Sequence, residues 1–156
     1  EILDKLILAK QATDLCTNVF AQYIGYEYIH GGFLDDHIKK IRNLYKKKRD
    51  IMLESLKKYF PKKVTWTVPE GGMFIWITLP KGVDTRLMFQ KALAKKVAYV
   101  TGDAFYPEGK NFNSMRLNFS YSDDETIKEG IKRLAEVIKE ELAATYEEEP
   151  FLPEGV

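Results

Sequence analysis

The chain has 156 residues, 45% of them hydrophobic and 30% charged, with 24 basic and 23 acidic side chains that leave a net charge of +1. That profile fits a soluble globular chain and excludes wholesale disorder, a collagen-like repeat or a disulfide scaffold. Near-neutrality gives no overall field toward nucleic acid or membrane, no apolar run approaches the roughly 20 residues a membrane span needs, and the lone Cys16 fits a reducing compartment, which sets a cytoplasmic expectation.

The chain opens at Glu1 with a helical pattern already under way: Ile2/Leu3, Leu6/Ile7, Ala9, Ala12, Leu15/Cys16, Val19/Phe20 and Tyr23/Ile24 follow a 3–4 spacing. This predicts one helix to about Ile29, with Cys16 packed on its apolar face, and a chain that is a fragment of something longer. His30-Gly31-Gly32-Phe33 breaks the helix. A second helix, capped by Asp35 or Asp36, runs to about Tyr59, just before Pro61. Leu34, Ile38, Ile41, Tyr45, Met52, Leu56 and Tyr59 share its apolar face, interrupted by Lys48.

From Val64 the period changes to two, which predicts a strand Val64–Val68, a turn at Pro69-Glu70-Gly71-Gly72, and a buried strand Met73–Leu79 in an antiparallel hairpin. A short helix over Asp84–Lys96, a strand Val97–Val100, a Gly/Pro/Asn-rich loop Thr101–Ser114 and a strand Met115–Ser120 follow. Ser122-Asp123-Asp124-Glu125 reads as a capping box, and Ile127, Ile131, Leu134, Ile138 and Leu142 repeat at helical spacing behind it. The fold class is therefore α+β: long N-terminal helices, then a small sheet with helices packed on one face. The expected organisation is a helical arm over 1–45, a small α+β domain over 46–145 and a flexible tail over 146–156.

Alternation in the strand Met115–Ser120 puts Met115, Leu117 and Phe119 on a core face and Arg116, Asn118 and Ser120 on the other. A guanidinium beside an amide and a hydroxyl can clamp a carboxylate; it equally suits a solvated edge strand that uses charge against aggregation. The basic cluster Lys39, Lys40, Arg42, Lys46, Lys47, Lys48 and Arg49 reads as a solvated helix face rather than a nucleic-acid surface, because no aromatic residue is interleaved with it. His30 and His37, with Asp35 and Asp36 between them, lack a compact metal-ligand spacing, so no metal site is expected.

Gln11-Ala12-Thr13-Asp14-Leu15-Cys16-Thr17-Asn18, Glu70-Gly71-Gly72-Met73-Phe74-Ile75-Trp76, Val97-Ala98-Tyr99-Val100-Thr101-Gly102-Asp103-Ala104-Phe105-Tyr106 and Met115-Arg116-Leu117-Asn118-Phe119-Ser120 stand in one order across the chain. Together they resemble the C-terminal part of fold-type-I, pyridoxal-phosphate-dependent aminotransferases, in the branch of 2-aminoadipate, kynurenine and aromatic aminotransferases. The resemblance covers about residues 1–144. It implies that Arg116 binds the substrate α-carboxylate, with Phe105 and Tyr106 in the loop that approaches the substrate side chain. It also implies amino acids and 2-oxo acids as substrates, a homodimer and a role in amino-acid metabolism; the near-neutral charge adds the expectation of no nucleic-acid or membrane partner. The family's Schiff-base lysine and its cofactor-cradling residues have no match in this chain. The expectation is that these 156 residues supply no catalytic residue, hold no pyridoxal 5'-phosphate and are inactive alone. Two other readings remain at this point: the aminotransferase-like effector domain of a transcription regulator, and a non-catalytic interaction module.

Overall fold

The computed structural model describes residues 1–147. They form two compact units divided between Asn43 and Leu44, each described by itself. Helix continues to Glu147, within the expected tail, and the rest of that segment, 148–156, lies outside the described residues.

The first unit is helical. The single helix expected to Ile29 is in fact two, α1 (Ile2–Thr13) and α2 (Val19–His30). The break lies where side chains compete for the backbone: Thr13 Oγ1 donates to the Ala9 carbonyl, Thr17 Oγ1 to Asp14 Oδ2 at 2.6 Å, and Asn18 Oδ1 accepts from the Ala21 N–H as the N-cap of α2. Cys16 falls in this break and is exposed, not packed on a helix face. Neither helix contains a buried residue. The glycine break holds, with Gly32 at φ +77°, a conformation that favours glycine. α3 (Phe33–Tyr59) starts earlier than expected, so Asp35 and Asp36 sit inside its first turn, where carboxylates suit the helix dipole, rather than capping it.

The second unit holds the core. β1 (Thr65–Trp66), β2 (Phe74–Thr78), β3 (Val100–Thr101) and β4 (Ser114–Asn118) form one antiparallel sheet in the order β1-β2-β4-β3. The hairpin is as expected, though regular pairing in β1 covers only two residues; the Thr67 N–H still donates to the Trp76 carbonyl beyond it. The turn is pinned from α3, where Arg49 Nη1 donates to the Pro69 carbonyl at 2.9 Å. Gly72, at φ +77°, completes it.

α4 (Thr85–Ala94) starts where Asp84 Oδ1 accepts from the Arg86 N–H. α5 (Asp124–Glu147) starts on Asp123, whose Oδ1 accepts from the Thr126 N–H at 2.7 Å. The cap is thus Asp123 and not the expected Ser122–Glu125 box. An aspartate one position nearer the apolar repeat offers the same acceptor and adds charge at the helix N-terminus.

Ile75, Ile77, Met115 and Leu117 point from the sheet into one cluster with Met52 and Leu56 of α3, Met88 and Ala92 of α4, and Ile127, Ile131, Leu134 and Ile138 of α5. One sheet face is therefore sealed by the helices. The other carries Phe74, Trp76, Val100 and Arg116, none of them fully buried. Among the described residues no helix is long and apolar enough to cross a membrane.

Candidate functional site

The open face of the sheet is centred on Arg116. It lies in β4 directly between Trp76 of β2 and Val100 of β3. Its neighbours Met115 and Leu117 are buried, so the two-residue period drives the guanidinium onto the opposite face. There the charge meets rings. Cζ lies 3.9 Å from the centroid of Phe74 and 4.8 Å from that of Phe105. Trp76 supports the loop above: its indole meets Phe105 edge-on, with centroids 5.3 Å apart, and Tyr106 at 6.3 Å.

Phe105 ends a 3₁₀ turn, Gly102–Phe105, seated closely on β4. A Cβ at Gly102 would lie 1.9 Å from Ser114 Oγ, so only glycine permits this approach. Ser114 is buried, and its carbonyl accepts from Thr85 Oγ1 at 2.8 Å. Tyr99, just before β3, donates to the Thr85 carbonyl at 2.6 Å, and burial pushes its phenol well above the ordinary tyrosine range.

Arg116 is half-buried, and among the described residues it has no hydrogen-bond or ion-pair partner; its Nε is buried without an acceptor. A buried donor left unpaired is costly, so the geometry has a donor set in need of an anion. Asp103 Oδ1, in the 3₁₀ turn, is likewise buried without a partner.

Of the residues singled out in the sequence, the structure sets Phe105 against Arg116 and Tyr106 against Trp76 beside it. It does not join Asn118 and Ser120 to them. Asn118 Oδ1 accepts from the Ser120 N–H and Oγ, folding the chain after β4 instead of extending the clamp. Phe74 and Trp76 are the members that sequence reasoning missed. The near-continuous apolar run Met73–Leu79 looks like a strand buried on both faces. Only the pairing register shows that its aromatic positions flank a cation.

Elsewhere, several members of the basic cluster are paired. Lys46 and Arg49 pair with Asp50, Lys39 with Asp36 and Lys47 with Asp124. Lys48, the break in the apolar face of α3, is buried, and its Nζ donates to the Ser120 and Tyr121 carbonyls at 2.9 and 3.3 Å. His30 stacks on Tyr26. Among the described residues no group of three or more His, Cys, Asp or Glu side chains could hold a metal.

The sequence model of the family described as aminotransferase class I and II matches residues 5–134. The chain belongs to the class I and II aminotransferase family. Aromatic-amino-acid aminotransferase 1 of Thermococcus litoralis is 58% identical over 138 residues, which is 88% of this chain and 33% of that protein. The solved kynurenine aminotransferase of Pyrococcus horikoshii is 57% identical with a TM-score of 0.84, over 90% of this chain and 35% of that one. An HTH-type transcriptional regulator of Bacillus subtilis, YdfD, is 29% identical over 139 residues, 89% of this chain and 28% of that protein. The chain thus spans about a third of the length of the curated relatives it matches.

Family membership implies pyridoxal phosphate, which needs an amine to join its aldehyde and donors for its phosphate. Beside Arg116 stand Phe74, Phe105, Trp76 and Val100, with Tyr106 against Trp76, and no lysine is among them. These residues fit a carboxylate on the guanidinium. They do not fit the cofactor, and no chemical step through it follows from them.

Proposed function

We propose that this chain is the carboxylate-binding part of an aminotransferase that exchanges an amine between an amino acid and a 2-oxo acid. The observation that carries the reading is a half-buried guanidinium, packed against rings and lacking any internal anion. Its planar fork matches a carboxylate with two parallel N–H···O bonds, and both partners of the exchange carry that group. One grip therefore serves donor and acceptor alike.

In this reading Phe105 and Tyr106, leaning on Trp76, form an apolar wall beside the carboxylate. Ring edges and faces there favour a bulky, apolar or aromatic side chain over a charged one. Water shed from the site on binding strengthens the ion pair with Arg116, and the two-point grip on the carboxylate fixes the orientation of the bound molecule. In the full-length protein pyridoxal phosphate would be held by residues outside the Arg116 site, so the 156 residues alone should retain no stoichiometric cofactor in equilibrium dialysis and should carry no transaminase activity. The higher identity to named enzymes than to the transcription regulator supports an enzyme over an effector domain. A second copy as partner, a role in amino-acid metabolism and a cytoplasmic location complete the proposal; sedimentation and cell fractionation test the first and last.

Arg116→Lys in the full-length protein is the direct test. It keeps the charge and loses the fork, so kcat/KM should fall on the order of ten- to a hundredfold, the value of a charged hydrogen bond, with cofactor content unchanged. An unchanged kcat/KM refutes the assignment.

A further inference from the structure

An arginine that must wait for a substrate carboxylate faces a conflict. Its long side chain needs something to hold it in place, and the usual partner, an internal Asp or Glu, would occupy the donors the substrate requires. In this chain no internal carboxylate is paired with Arg116 among the described residues. What touches the guanidinium is π surface, and the nearer ring is Phe74, 3.9 Å from Cζ.

Phe74 is placed for this by the sheet. It faces Asn118 in register, one step diagonal from Arg116 on the same face of adjacent strands. β2 lies inside the sheet, between β1 and β4, which fixes the ring's backbone. Yet Phe74 is 36% exposed and stands outside the hydrophobic core, so core packing does not account for a large aromatic there. A ring face attracts a cation through its quadrupole and engages the flat face of a guanidinium, leaving the in-plane N–H groups free.

Resting on the reading of Arg116 as the carboxylate grip, we propose that Phe74 is a positioning residue: its ring holds the guanidinium in the binding orientation without consuming the donors that receive the substrate. Phe105 supports the same group from 4.8 Å, itself braced by Trp76. The ring therefore acts on substrates through their carboxylate alone.

The test uses the full-length holoenzyme with Phe74→Leu, Phe74→Tyr and Arg116→Lys. Each is assayed in single-turnover reaction with L-phenylalanine and with 2-phenylethylamine, the same molecule without its carboxylate. Phe74→Leu keeps apolar bulk and removes the π face; the single-turnover rate constant for phenylalanine at low concentration should fall on the order of tenfold, carried mainly by a weaker apparent Kd, while the rate with the amine stays within about twofold. Phe74→Tyr keeps the ring face and should restore the parent value. A general structural defect would depress both substrates together, and that result, or no loss in Phe74→Leu, or an equal loss in Phe74→Tyr, overturns the proposal. The two levels separate cleanly. If Arg116→Lys selectively loses phenylalanine while Phe74→Leu is indifferent, only the role of Phe74 fails. If Arg116→Lys is itself indifferent, the carboxylate grip fails and the role of Phe74 with it.

Discussion

Gly102→Ala asks how closely the 3₁₀ turn must sit on β4. The added methyl would stand 1.9 Å from Ser114 Oγ and 2.9 Å from both the Cβ and the carbonyl oxygen of Ser114. Turning the hydroxyl away removes the first contact and gives up its hydrogen bond to the Asn111 carbonyl, at 3.1 Å. The other two contacts involve Cβ and backbone, so the turn must lift or β4 must yield. Overpacking of this kind costs roughly 1–3 kcal/mol and the lost hydrogen bond about 1 kcal/mol more, so the expected destabilisation is about 2–4 kcal/mol. Equilibrium urea unfolding reads it as a lower midpoint at constant m. Because the turn ends in Phe105, lifting it also withdraws a ring from Arg116, and kcat/KM for a carboxylate substrate should fall in the folded variant. Ser114→Ala removes the atom at 1.9 Å, so in the double variant part of the Gly102→Ala cost should disappear, giving a coupling of about 1 kcal/mol. The reasoning fails if Gly102→Ala costs less than about 0.5 kcal/mol, or if the two single costs simply add.

Two further outcomes concern the junction between α3 and the start of α5. Lys48→Met keeps the buried stem and removes the donor shared by the Ser120 and Tyr121 carbonyls; stability should fall by about 1–3 kcal/mol, and a neutral result in urea unfolding would show that water replaces the ammonium without cost. Asp123 is held below its ordinary value of 3.8, chiefly by the backbone N–H of Thr126. A depressed carboxylate contributes stability that is present above the unfolded value and is lost as pH falls through the folded one. Asp123→Asn keeps an acceptor for the cap and cannot titrate, so its stability should decline less steeply than the parent's below about pH 4. Urea midpoints at neutral and acid pH decide this, and parallel declines would refute it.

What could be read from the residues was what periodicity controls. The apolar repeat of α5 and the alternation of β4 each have one burial solution, and Ile127, Ile131, Leu134, Ile138, Met115 and Leu117 all take it. The antiparallel hairpin follows from a two-residue period over Val64–Val68 and an apolar run over Met73–Leu79, joined by Pro69-Glu70-Gly71-Gly72. What escaped were outcomes of competition between local partners. The break after Thr13 is made by hydroxyl and amide side chains that lie inside an uninterrupted apolar pattern. Asn118 and Ser120 share a face with Arg116 yet bond to each other, because a turn must follow β4 at once. Lys48 looks like a flaw in an apolar stripe until the carbonyls it reaches, more than 70 positions along the chain, are known. The ring platform under Arg116 depends on register between strands about 40 residues apart, which no local pattern encodes.

That register also explains why the site is secure on so small a sheet. In β4 the core residues Met115 and Leu117 bracket Arg116, and in β2 Ile75 and Ile77 bracket Trp76; all four apolar residues are at most 5% exposed. A slip of one residue in either strand would turn a whole buried set outward, and in β4 it would carry the guanidinium into the core without an anion. The apolar face thus fixes the position of the cationic one, and the site needs no anchoring ion pair of its own. Register settles the face from which Arg116 emerges, and the rings of Phe74 and Phe105 then meet the guanidinium without an ion pair. The same logic ranks the neighbours. Phe74 and Phe105 can vary the strength of the grip, whereas a change at Leu117 or Ile75 would first loosen the pairing that brings cation and rings together.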